Sequence, residues 1–72
     1  MTERAYDNFR TGVVTAFEPL VGLGVVVDDE GTEYAFHCIE IADGSRDIAV
    51  GTEVGFDVMP KFGRWEAARV RS

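Results

Sequence analysis

Two places in this chain hold residues whose types could do chemistry. His37 stands beside Cys38 at the end of Tyr34-Ala35-Phe36-His37-Cys38, a pairing that metal sites and nucleophilic enzymes both use. The spacing argues against either use. Neighbours on an extended chain point to opposite faces, and there is no second histidine or cysteine to complete a ligand set. No serine stands near a base, and no paired carboxylates occur in a pocket-like sequence. No catalytic residue, metal or cofactor is therefore expected. The second place is near the C-terminus, where Lys61, Phe62, Arg64, Trp65, Arg69 and Arg71 interleave rings with cations. Rings stack on bases and cations meet phosphates, so this composition suits a single-stranded nucleic acid. On a regular strand Trp65, Ala67, Arg69 and Arg71 share one parity and would line one strip. The structural alternative is that Trp65 caps a core while the arginines neutralise nearby acids.

Charge bears on that reading. The formal net charge is -6, from 7 Lys+Arg against 13 Asp+Glu. Residues 18–57 hold ten acids against Arg46 alone, whereas residues 58–72 hold four bases against Glu66. A polyanion would be repelled by most of this surface and attracted only at its C-terminal strand. The lone Cys38 excludes an intrachain disulfide. No basic-then-apolar leader opens the sequence and no apolar run approaches membrane-spanning length, so a cytoplasmic protein that stays off membranes is expected.

The elements that must position these residues read as strands. Residues 1–9 form an N-terminal arm whose large apolar groups are Tyr6 and Phe9, and residues 10–72 form one domain. The first strand is expected over Arg10–Phe17, stopping before Pro19. The second, Leu23–Val27, ends at the turn signal Asp28-Asp29-Glu30-Gly31-Thr32 and leads by a hairpin into Glu33–Cys38. Residues 39–52 are a long connection. Val54, Phe56 and Val58 alternate inward on Glu53–Met59, and Pro60-Lys61-Phe62-Gly63 turns into a fifth strand, Arg64–Arg71. Five short strands with a long third connection predict an all-β fold, a five-stranded antiparallel Greek-key barrel of the OB type.

The order of several motifs resembles the cold-shock domain family. They are Thr11-Gly12-Val13-Val14, Phe17, Gly22-x-Gly24, the acidic turn ending at Gly31, His37, Val50-Gly51-x-x-Val54-x-Phe56, and Ala67-Ala68-Arg69-Val70. The likeness spans roughly Thr11 to Val70. Gly22-x-Gly24 lacks the third glycine and following helix of a dinucleotide loop. The resemblance implies a single-stranded RNA- or DNA-binding barrel that stacks bases on its second and third strands. The family's rings would fall on Ala16, Leu23, Val25, Ala35 and Cys38, and its lysines on Thr15 and Val21. Of that face only Phe17 and His37 keep their type. Each lost platform removes roughly 1–3 kcal/mol, against about 8 kcal/mol for micromolar binding. The expectation is a cold-shock-like protein whose binding is weakened or moved to the C-terminal strand.

A second expectation concerns Leu23, Val25, Val27 and Ala35. Parity turns them outward on adjoining strands, beside Val21, to make an apolar patch that monomers seldom leave bare. Either the arm covers it through Tyr6 and Phe9, or a protein partner or second copy does. In that case the barrel is a protein-interaction or dimerisation module.

Overall fold

The computed structural model describes residues 9–44, 47–61 and 63–72, Lys61 by its backbone alone. Strand β1 runs Phe9–Glu18, β2 Leu23–Asp28, β3 Glu33–His37, β4 Glu53–Lys61 and β5 Arg64–Arg71. They close into a barrel in the order β1-β2-β3-β5-β4, with β4 returning to β1. The chain is all-β, a small OB-like barrel, and no α-helix occurs among the described residues. No helix is long and apolar enough to cross a membrane.

The strands form where branched or aromatic residues alternate with small or polar ones, and that alternation fills the barrel. Val14, Val26, Phe36, Val54, Phe56 and Val70 are each at most 4% exposed and form one cluster with Ile41, Val58 and Ala67. The edge of the Tyr34 ring packs against Phe56, with centroids 5.6 Å apart. At Gly24 the barrel is too crowded for a side chain. A Cβ there would lie 2.5 Å from the Phe36 ring and 2.9 Å from Phe17.

The β2–β3 hairpin forms where the acidic cluster predicts it. Asp28 Oδ1 accepts from the backbone N–H groups of Glu30 and Thr32, both at 2.9 Å, and Gly31 takes φ +86. Asp28 is itself buried, so those two donors satisfy a carboxylate that would otherwise be costly to place there. Among its described residues the long third connection contains one 3-10 turn, Cys38–Glu40, which His37 caps by accepting from the Ile39 N–H at Nδ1, 3.2 Å away.

Four features differ from the sequence-based expectation. Pro60 and Lys61 belong to β4, paired with Trp65 and Arg64, so the turn into β5 is tighter than four residues. Proline fits there because only one edge of the strand end needs a donor. The β3–β5 pair is parallel, because the connection after β3 crosses the barrel end and β5 returns along β3. Phe9 belongs to β1 and not to an arm; residues 1–8, including Tyr6, lie outside the described residues. Lastly, β1 and β5 each carry a register shift against a neighbour, between Val14 and Ala16 and opposite Gly55–Asp57. These two bulges decide which way the candidate site residues point.

Candidate functional site

The first bulge acts on Phe17. Val14 faces inward opposite Val26, and an unbroken strand would turn Phe17 outward. One extra residue at Thr15 reverses the parity, so Ala16 faces out opposite Val25 and Phe17 faces in opposite Gly24. Phe17 then stacks on Phe36, with centroids 6.0 Å apart and planes at 19°. It is half-buried against the core, which removes it from the outer face where the family frame placed it. His37 does face out and is exposed, while Cys38 packs against the core. Their closest polar contact is Cys38 Sγ to His37 Nδ1 at 3.7 Å. Among the described residues no group of three or more His, Cys, Asp or Glu side chains is placed to hold a metal.

The second bulge acts on the basic strand. Ala67 pairs with Val58 inside the barrel and is fully buried, so it cannot line an outer strip. Past Ala68 the extra residue is Arg69, whose φ of +53 is unusual for a side chain with a Cβ. The reversal sends Val70 inward and brings Arg69 and Arg71 to the outward side of β4. There Arg69 Nε lies 3.4 Å from Asp57 Oδ2, and Arg71 Nη2 lies 3.5 Å from Asp57 Oδ1. The Arg69 N–H also donates to Glu40 Oε1 at 3.2 Å. Arg71 donates to the Arg69 carbonyl, and its guanidinium sits over the Phe9 ring, 4.9 Å from the centroid. The Phe9 ring in turn lies across Gly55, where a Cβ would come within 2.6 Å of it. Phe9 therefore covers the β1–β4 side of the barrel and leaves the β2–β3 face alone.

Trp65 is separated from those arginines. It pairs with Pro60 at the far end of β5, roughly 20 Å along the strand from Arg71 at about 3.3 Å per residue. Its parity is inward, but it lies beyond the core at the barrel mouth, and it is 59% exposed. The same mouth is lined by Arg10 from β1, Tyr34 and Glu33 from β3, and Val58 from β4. Arg64 precedes it on the outward side, and Lys61 ends β4 opposite Arg64. Phe62 lies outside the described residues. The structure thus divides the basic strand in two, with Trp65 and Arg10 sharing the mouth at the end where Arg64 begins the strand, and an Asp57-neutralised pair at the other end. Arg10 drew no notice in the sequence, because pairing of β1 with β4 is what carries it to Trp65's end of the barrel.

The outer face of β2 and β3 is as aliphatic as its parity predicts. Leu23 is 51% exposed, Val25 and Val27 are half-buried, and Ala35 is exposed. A shallow trough runs over Leu23, Val25 and Ala35, bordered by Ala16 and Glu18 on β1 and by Arg64 and Glu66 on β5. No described residue covers it. A search against protein-family models finds no match to this chain, and a search of curated proteins finds no relative.

Proposed function

We propose that this protein is a cold-shock-like, single-stranded nucleic-acid-binding barrel whose contact has moved from the outer face to the mouth around Trp65. The observation that carries the reading is the exposed Trp65 ring sharing the mouth with Arg10, with Arg64 beside it in the chain. A ring open to solvent beside cations is the minimum unit for holding a base and its phosphate. The OB-like closure supports the reading, since barrels of this kind present single strands with such groups. Binding is weak because one platform supplies roughly 1–3 kcal/mol, and because Glu33 lies in the same mouth of a chain of net charge -6.

Trp65 is the only tryptophan, so its fluorescence reports the contact directly. Titration with a short single-stranded oligonucleotide should quench it. The two cations Arg10 and Arg64 predict a slope of log K against log salt of about -1.4 on the single-strand value of roughly -0.7 per phosphate. Arg10→Glu should weaken binding by about tenfold or more, the cost of reversing one phosphate contact at moderate salt, while Arg71→Ala should leave it unchanged. Binding without quenching, or quenching indifferent to Arg10→Glu, would show that the strand lies elsewhere.

A further inference from the structure

The trough on the outer face of β2 and β3 is a second surface that shares only Arg64 with the surroundings of Trp65, and we infer that it docks a second copy of this chain across a two-fold axis. The argument rests on how the face is laid out. Glu18 pairs with Leu23, which pairs with His37, so these three form one row across the sheet. Ala16, Val25, Ala35 and Glu66 form the next row. Arg64 stands two residues before Glu66 on β5, which places it in the row beyond. Glu18 and Arg64 therefore occupy opposite corners of a face whose centre, Leu23, Val25 and Ala35, is aliphatic, with His37, Glu66 and Glu33 along its β3–β5 edge.

Self-complementarity follows from those corners. A two-fold axis lying in the plane of the face along its other diagonal sets Glu18 of each copy against Arg64 of the other. It also brings His37 towards Glu66 of the second copy and lays Val25 and Ala35 on their own equivalents. The strands of the two copies cross near a right angle, one of the two usual ways for sheets to pack. Such an isologous contact uses one patch twice and closes on itself. Within the chain, the side chains of Glu18, Glu66 and Arg64 make no hydrogen bond or ion pair with a described residue, whereas those of Arg69 and Arg71 are both taken up by Asp57. The charges bordering the aliphatic patch are thus available to a partner of opposite pattern, and the second copy has that pattern. A protein partner of uniform charge would leave one corner repelled. The face offers on the order of a few hundred Å² per copy, the low end of specific interfaces, so the dimer is weak and depends on concentration.

Sedimentation velocity over a dilution series tests this with the whole chain. The wild type should shift from monomer to dimer with rising concentration, and Leu23→Glu should remain monomeric while keeping its far-ultraviolet circular dichroism. Glu18→Arg and Arg64→Glu should each weaken the dimer by about tenfold or more, because each places two like-charged pairs across the axis. Mixed in equal amounts, these two variants should recover dimer, since every corner is again matched. A wild type that is monomeric at millimolar concentration, a dimer indifferent to Leu23→Glu, or a mixture no better than its separate components would each overturn the inference. So would a face that associates only with nucleic acid or with a different protein. Glu18→Arg leaves Arg10, Lys61 and Trp65 untouched, so its effect on dimerisation is distinguishable from any failure of the binding proposed at the mouth.

Discussion

At the scale of single residues, the two positions that matter most are a strained arginine and an aspartate. Arg69 holds a positive φ because it is the extra residue of a bulge. Glycine adopts that backbone without a Cβ penalty, so Arg69→Gly should be neutral to about 1 kcal/mol stabilising in urea denaturation. Arg69→Val, branched at Cβ, should cost about 1–2 kcal/mol by the same measurement. Asp57 engages both Arg69 and Arg71. Asp57→Ala should release both guanidiniums and make retention on a polyanion column more persistent as salt is raised, with a steeper salt dependence than wild type. In the core, Phe56 is fully buried and Phe56→Ala should cost about 3–5 kcal/mol, read as a lowered urea midpoint. For a domain of this size that approaches the whole of its stability.

At the scale of elements, strand order and inward faces were legible in the sequence, and the bulges were not. Period-two alternation identifies Gly22, Gly24 and Val26 as inward and Leu23, Val25 and Val27 as outward, and the barrel places them so. The same rule fails at Phe17 and along β5, because an added residue reverses parity without changing composition. A signal was present in each case. Val14 and Phe17 are both core-type residues three apart, which one strand cannot send to one face without a bulge. Ala67 and Val70 repeat that spacing. What composition could not supply is which strand ends meet, and so the approach of Arg10 to Trp65 could not be read beforehand; that the arginines neutralise nearby acids was one of the two expectations, but not that the acid is Asp57. The crowding at Gly24 gives an element-level prediction. Gly24→Ala should cost about 1–3 kcal/mol and displace the Phe17–Phe36 stack, seen as loss of ring-current shifts in the proton spectrum.

At the scale of the whole molecule, the charge asymmetry of the chain becomes a spatial one. Acids crowd the β2–β3 hairpin, where Asp29 accepts from the Thr11 hydroxyl at 2.8 Å, while Arg10 shares the mouth with Trp65 and Arg64 precedes it on β5. Self-repulsion in a chain of net charge -6 should make moderate salt stabilising, seen as a melting temperature that rises by a few degrees between about 20 and 200 mM, as screening shortens the Debye length. The barrel is also unevenly laced. β1 is paired along almost its whole length, with β4 over Phe9–Val13 and with β2 over Gly12–Glu18, whereas β3 meets β5 through the single ladder pair Ala35–Glu66, with the isolated bridge Ile41–Val70 beyond it. That seam is where the cylinder should part first. Amide protons on its two lips, at Ala35 and Ala67, should exchange by local opening at a rate insensitive to denaturant, and those of Val14 and Val26 only when the whole chain unfolds. Each such opening would momentarily bare the Phe36 ring to water, giving this small barrel a breathing motion along one lengthwise slit while the opposite wall stays shut.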